Sequence, residues 1–133
     1  MFFDKFFNKG SKLNKVEMYN IEVNIVDHCN LNCSGCTHFS TIAPKNFIDI
    51  NGFRNDIKEI SNKINLQRFR ILGGEPLLHP DIILFVQESR KFFKNTTICL
   101  VTNGMLLPKM SEEFWKALRE NEVQLDITKY PPP

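Results

Sequence analysis

The 133-residue sequence has no apolar run near the ~18 residues that cross a membrane. It also has little net charge, only +2 at neutral pH. A charge this small gives no reason to expect nucleic acid or a membrane surface as a partner. The first twelve residues lack the n-region and the continuous apolar h-region of a signal peptide. We therefore expect a cytoplasmic protein whose four cysteines stay reduced and available for metal, rather than paired in disulfides.

Three of the four cysteines lie within eight residues. Cys29, Cys33 and Cys36 form a C-x3-C-x2-C motif directly after a β-like run. A four-iron iron–sulfur cluster normally takes four protein thiolates. Three thiolates would leave one iron with an open coordination position, which distinguishes reactive metal sites from structural ones. The fourth cysteine, Cys99, lies in the apolar stretch Ile98–Val101 and is expected to be a buried core thiol.

Zinc is the alternative metal for the same residues. His28 precedes the first cysteine and His38 follows the last by two positions, so three cysteines and one histidine could hold zinc. Thiolates are soft ligands that suit both zinc and iron–sulfur clusters. The cysteine spacing alone leaves both metals open.

Predicted strands and helices alternate through the rest of the chain. Alternating or β-branched apolar residues predict four strands, at 19–26, 68–72, 96–102 and 123–127. Apolar residues at helical spacing predict helices at 52–64, at 80–93 and after a Ser111 cap, with Asn51 as the N-cap of the first. This alternation is typical of βα units, and it predicts an α/β fold with one parallel sheet.

Polar residues follow each predicted strand at its carboxyl end, which is where α/β folds bind ligands. The cysteines follow the first predicted strand, and three further groups lie at the ends of the second, third and fourth. In that order these are Gly73, Gly74, Glu75 and Pro76; Thr102, Asn103 and Gly104; and Asp126, Thr128 and Lys129. Taken singly, a Gly-Gly or Asn-Gly pair would be an ordinary turn. Because the carboxyl ends of parallel strands share one edge, we expect all four groups to converge on one rim.

These segments together carry a family resemblance. The CNLNCSGC loop, the GGEP turn and the TNG turn, each after a predicted strand, resemble the radical S-adenosylmethionine (SAM) superfamily over about residues 19–129. The resemblance implies parallel βα units that form part of a partial (βα)6 barrel. The four predicted strands would be the N-terminal part of that core domain, with the barrel truncated after the fourth strand.

The resemblance also implies two cofactors. Cys29, Cys33 and Cys36 would ligate three irons of a [4Fe-4S] cluster, and SAM would chelate the open iron. Reductive cleavage of SAM would yield a 5′-deoxyadenosyl radical that abstracts hydrogen from an unknown substrate. Phe39, or alternatively His38, would replace the aromatic residue that often precedes the third cysteine, where this chain has Gly35. The other implied SAM contacts are Gly73, Gly74, Glu75, Pro76, Thr102, Asn103, Asp126, Thr128 and Lys129.

Partners and domain limits complete the expectations. The resemblance implies an electron donor of the flavodoxin or ferredoxin type, and the short barrel leaves room for a partner chain that completes it. Residues 1–18 are expected to be an amphipathic N-terminal segment, and residues 19–133 an incomplete radical-SAM-like domain. We do not expect membrane contact. The alternative function is a non-catalytic metal-binding fragment, holding an iron–sulfur cluster or zinc, from a truncated enzyme.

Overall fold

The computed structural model describes residues 14–30 and 43–129. Within these ranges the chain alternates strands and helices, as predicted. The strands are β1 (Val16–Asn24), β2 (Ile64–Leu72), β3 (Thr97–Thr102) and β4 (Val123–Ile127). The helices are α1 (Ile50–Lys63), α2 (Ile82–Phe92) and α3 (Glu112–Glu120). Short 3-10 turns at Pro76–Leu78 and Leu107–Lys109 precede α2 and α3.

The four strands form one parallel sheet in the order β1-β2-β3-β4. Each strand is joined to the next through a helix, because parallel neighbours need a crossover connection. The predicted α/β fold of parallel βα units is therefore confirmed. Since all four strands run the same way, the loops after them start from a single edge of the sheet, which is called the rim below.

One hydrophobic core lies between the sheet and the helices. It joins Phe53 of α1, Phe85 of α2, Phe114 of α3 and Phe69 of β2, none more than 3% exposed. The ring centroids of Phe53 and Phe85 lie 4.6 Å apart, and those of Phe69 and Phe93 lie 4.9 Å apart. These distances are favourable for aromatic packing. Because every helix contributes to this one core, the helices cover one face of the sheet.

The opposite face of the sheet carries charged side chains. Side chains alternate along a strand, so Arg70 points away from the core-facing Phe69. Arg70 lies between two carboxylates: it donates to Glu22 of β1, and its Nη2 lies 3.3 Å from Oδ2 of Asp126 on β4. Arg68 lies 3.9 Å from the same Asp126 oxygen. These pairs are partly exposed, so each contributes little to stability, but together they orient Asp126 toward β2.

Two predicted helix starts were wrong. Helix α1 begins at Ile50, and its N-cap is Asp49, whose Oδ2 accepts from the Gly52 N–H at 2.9 Å. The expected cap, Asn51, instead accepts from Arg54 within the helix. Helix α2 begins at Ile82 rather than at residue 80. The Ser111 cap of α3 and the bounds of β4 are confirmed.

Strand boundaries also differ from the predicted ones. β2 follows α1 directly at Ile64, four residues before its predicted start. β1 runs from Val16 to Asn24, and residues 16–18 pair with 64–66, so the end of the expected amphipathic segment lies in the sheet. The phenylalanines of that segment lie outside the described residues. Among the helices that the structure describes, none is both long and apolar enough to cross a membrane.

Candidate functional site

The rim brings the segment after β1 against the turn after β2. The backbone N–H groups of Ile25, Gly74 and Glu75 donate to the carbonyls of Leu72, Val26 and His28 at 2.8, 2.6 and 3.0 Å. These bonds continue the pairing of β1 with β2 beyond the last strand residues. Cys29 follows the last of them directly, so the first cysteine of the motif starts from a fixed backbone position on the rim.

Gly73 and Gly74 are required for this close approach of the two backbones. A Cβ added to Gly73 would lie 2.4 Å from the carbonyl oxygen of Val26, and one on Gly74 would lie 2.0 Å from that of His28. What packs against these two glycines is therefore the backbone of the segment after β1. Neither glycine has a positive φ; among the described glycines only Gly104 does, at +82°.

Glu75 is a fully buried carboxylate that joins two loops of the rim. Its Oε1 accepts from the Leu77 N–H at 3.0 Å and from the Thr102 hydroxyl at 2.7 Å. Its Oε2 accepts from the Asn103 N–H at 2.9 Å. Hydrogen bonds to an ionised acceptor are stronger than neutral ones, and three of them offset the cost of burying the charge. Glu75 therefore ties the turn after β2 to the turn after β3.

Replacing Glu75 with glutamine should lower the free energy of unfolding by about 2 kcal/mol. The amide nitrogen cannot accept a hydrogen bond, so either Leu77 or Asn103 would lose the acceptor for its buried N–H. Equilibrium urea denaturation measures the change. Glu120→Gln is the control, because Glu120 is an exposed carboxylate whose ion pair with Lys116 is 3.7 Å long. The control should lose less than about 0.5 kcal/mol, and equal losses in the two variants would contradict the internal role of Glu75.

Asn103 extends from the turn after β3 to the cysteine loop. Its Nδ2 donates to Oδ1 of Asn30 at 2.8 Å and lies 3.7 Å from Sγ of Cys29. Its Oδ1 accepts from the Met105 N–H at 3.0 Å. Only the oxygen of the amide can accept that bond, so the Met105 contact fixes which end of the side chain faces the cysteine loop. The first and third strand-end loops are therefore in direct contact.

Thr102 and Pro76 also lie on the rim, as predicted for their positions in the chain. Thr102 is 3% exposed, and its hydroxyl donates to Glu75 and accepts from the Gly104 N–H at 3.1 Å. Pro76 begins the 3-10 turn and is buried. Both residues support the loops from inside the protein, a role that the sequence patterns did not reveal.

The predicted residues at the end of β4 are spread more widely than those after β2 and β3. The backbone N–H of Thr128 donates to the carbonyl of Thr102 at 3.0 Å, which holds the chain after β4 on the rim. The side chains of Thr128 and Lys129 are exposed. Asp126 lies within β4, beside the arginines of β2 on the sheet face opposite α1, α2 and α3. The structure therefore brings Glu75, Thr102 and Asn103 together. The three predicted residues at the end of β4 lie at the margin of that group.

The structure describes one cysteine of the predicted metal site, Cys29. Cys33, Cys36 and Phe39 lie outside the described residues, so their roles stay predictions. Within residues 14–30 and 43–129, no three histidine, cysteine or acidic side chains are grouped so that they could hold a metal. A soft thiolate on the rim, next to amide donors, nevertheless has the chemistry that iron–sulfur clusters require. Cys99 is 1% exposed, which confirms the predicted buried thiol.

Two histidines hold the segment that returns after the cysteine loop. The rings of His28 and His79 each lie edge-on to Phe47, with centroids 5.0 and 5.3 Å away. His79 is 3% exposed; its Nδ1 accepts from the Asp81 N–H, so its Nε2 donates to the carbonyl of Ile48 at 2.8 Å. This packing role could not be predicted, because nothing in the local pattern around His28 or His79 shows that Phe47 lies between them.

Comparisons with known proteins agree with this architecture. The family model of the Radical SAM superfamily matches residues 23–132. The GTP 3′,8-cyclase of Trichodesmium erythraeum is 31% identical over 111 residues, which are 80% of this chain and 34% of that protein. The GTP 3′,8-cyclase of Petrotoga mobilis is 34% identical over 91 residues, covering 67% and 28% of the two chains. The chain therefore spans about a third of the length of these curated relatives.

Solved structures of BtrN share the fold. A crystal structure of BtrN in complex with AdoMet and 2-DOIA aligns with a TM-score of 0.65 and 20% identity, covering 90% of this chain and 48% of BtrN. A BtrN structure in an open conformation aligns with a TM-score of 0.57 and 18% identity, covering 87% and 58%. The four-stranded sheet therefore corresponds to part of a larger α/β domain.

Proposed function

Because this chain belongs to the radical SAM superfamily, we propose that it binds a [4Fe-4S] cluster through Cys29, Cys33 and Cys36, and SAM at the iron that these cysteines leave open. Family membership implies both cofactors and the general radical SAM reaction type. One observation carries the proposal for this chain: the loops after β1, β2 and β3 meet on one rim, and Cys29 lies where they meet. The sheet would then be part of a radical-SAM-type partial barrel.

When bound, the two cofactors supply a one-electron cleavage of SAM to methionine and a 5′-deoxyadenosyl radical, which takes a hydrogen atom from the substrate. The residues of the chain provide the surroundings for that chemistry. The backbone bonds between residues 25–28 and 72–75 hold Cys29 at the rim. The buried carboxylate of Glu75 holds the turn after β3 against the turn after β2. We propose that this preformed rim binds the polar part of SAM.

We propose that the predicted SAM contacts bind different parts of the SAM molecule. The segment Gly73–Pro76 would contribute backbone groups, because its glycine backbone is packed closely against the cysteine-bearing segment. The carboxylate of Glu75 already accepts three hydrogen bonds, and one lone pair remains for the SAM ammonium group. Thr128 and Lys129 would contact SAM from the exposed side of the rim. Asp126, beside Arg70, would lie toward the ribose. We propose that Phe39 packs near the adenine of SAM.

The proposal is confined to the cofactor chemistry. The chain spans about a third of the length of the GTP 3′,8-cyclases it resembles, so the rest of such a protein would supply much of a substrate pocket. A flavodoxin- or ferredoxin-type protein is the proposed electron donor. A partner chain that continues the sheet beside β4 is also proposed, because β4 pairs on one side only among the described strands.

Anaerobic reconstitution with iron and sulfide, followed by EPR of the reduced protein, tests the proposal. We expect a cluster signal that changes when SAM is added, because SAM would bind the open iron. A reconstituted protein with no cluster, or with a signal indifferent to SAM, would contradict it. Formation of 5′-deoxyadenosine under reducing conditions then separates the enzyme from the alternative. A cluster without 5′-deoxyadenosine would support the non-catalytic metal-binding fragment.

A further inference from the structure

The contact between the Asn103 amide and the Cys29 sulfur points to a function of Asn103 beyond the binding of SAM. We propose that Asn103 is a positioning residue that donates a hydrogen bond to the Cys29 thiolate and thereby raises the reduction potential of the bound cluster. This inference rests on the proposed function, because it requires Cys29 to be a cluster ligand. It goes further by assigning to the TNG turn an effect on the cluster itself.

The first argument is geometric. Nδ2 of Asn103 carries two N–H groups, and it has two acceptors within reach: Oδ1 of Asn30 at 2.8 Å and Sγ of Cys29 at 3.7 Å. Sulfur is larger than oxygen, so a longer donor–acceptor distance is expected for it. Each N–H can therefore have its own partner, and the bond to Asn30 does not compete with the bond to the sulfur.

The second argument is that Asn103 is held from three directions. Its backbone N–H donates to the buried Glu75 carboxylate at 2.9 Å, and its Oδ1 accepts from the Met105 N–H at 3.0 Å. The next residue, Gly104, has a φ of +82°, which only glycine adopts readily, and its N–H donates to Thr102. The side-chain amide is thus aimed at the cysteine loop by groups that need no cofactor to be in place.

The third argument is electrostatic. Hydrogen bonds to the sulfurs are among the factors that set the reduction potential of an iron–sulfur cluster. Reduction adds a negative charge, part of which resides on the ligating sulfurs, and an N–H dipole pointing at a sulfur stabilises that charge. Residues outside the ligand set commonly tune metal sites in this way. Removing the Asn103 amide should therefore make the cluster harder to reduce.

The test is a redox titration of the reconstituted protein, followed by EPR, in wild type, Asn103→Leu and Asn30→Ala. It is performed without SAM, so that any contact of Asn103 with SAM cannot contribute. At the potential where half of the wild-type cluster is reduced, the ratio of reduced to oxidised cluster should fall about tenfold in Asn103→Leu. Asn30→Ala should not fall below the wild-type ratio, because it keeps the donor to Cys29 and removes only an oxygen that lies 3.7 Å from the sulfur. An unchanged ratio in Asn103→Leu, or an equal fall in Asn30→Ala, would overturn the inference.

Cluster content is the second readout if Asn103→Leu assembles no cluster. The inference then requires that Asn103→Gln, which keeps the amide N–H donors, holds more iron and sulfide per chain than Asn103→Ala. Equal contents would overturn it. Wild-type protein that assembles no cluster would overturn the proposed function and this inference together. A wild-type cluster whose potential does not depend on Asn103 would overturn the inference alone.

Discussion

Cys29→Ala should abolish assembly of the iron–sulfur cluster, whereas Cys99→Ala should leave it intact. The two substitutions remove the same thiol group from different places. Cys29 lies on the rim beside Asn103, and Cys99 is 1% exposed within β3. If Cys29 is a ligand, its loss leaves too few thiolates for a stable cluster, because two protein ligands rarely hold one. Iron and sulfide content after anaerobic reconstitution measures the outcome.

The Cys99 control shows whether a loss of cluster arises from a loss of fold. Cys99→Ala removes one buried sulfur, and we expect the free energy of unfolding to fall by about 1 kcal/mol. Cys29→Ala should cost no more than that in the protein without iron. A Cys29→Ala protein that reconstitutes to wild-type iron content would contradict the proposed ligand set. A Cys99→Ala protein that loses the cluster while staying folded would contradict it as well.

Gly74→Ala should lower the free energy of unfolding by about 3 kcal/mol or more. The new Cβ would meet the carbonyl oxygen of His28 at 2.0 Å and that of Asp27 at 2.9 Å. Both are backbone atoms, so no side-chain rotation relieves the overlap. The segment bearing Cys29 would have to move away, and the bonds to Val26 and His28 would lengthen or break. Chemical denaturation of the protein without cofactors gives the change in stability.

Gly52→Ala is the matched control for that experiment. Gly52 lies in α1, and the nearest neighbour of an added Cβ would be Oδ2 of Asp49 at 3.8 Å, an ordinary contact. Alanine is a better helix former than glycine, so we expect this variant to gain about 0.5–1 kcal/mol. The two substitutions should thus change stability in opposite directions. A Gly74→Ala protein as stable as Gly52→Ala would contradict the close approach of the two loops.

Periodicity and strand-end chemistry predicted the sheet and its rim. β4 and the Ser111 cap lie where local patterns placed them, because both depend on neighbouring residues alone. The first helix cap was misassigned because Asp49 and Asn51 are both good capping residues, two positions apart. The helix starts at Ile50, so Asp49 rather than Asn51 is in position to accept from the Gly52 N–H.

The contacts that build the site could not be predicted from local pattern. Glu75 and Asn103 are 28 positions apart, and Cys29 and Asn103 are 74 positions apart. Their meeting depends on the crossovers that place the strands side by side. The glycines at 73 and 74 showed that something approaches closely, but the sequence could not say whether it was a ligand or the chain's own backbone.

The order of the strands has a consequence for biosynthesis. Each strand pairs with the one before it, so no later strand has to insert between two that are already joined. During synthesis, in which N-terminal segments can fold first, each βα unit could add to an edge that already exists. The bonds from Glu75 to Thr102 and Asn103 form only after β3 has left the ribosome. Until β3 and the turn after it have been made, Cys29 on a nascent chain would lack its contact with Asn103.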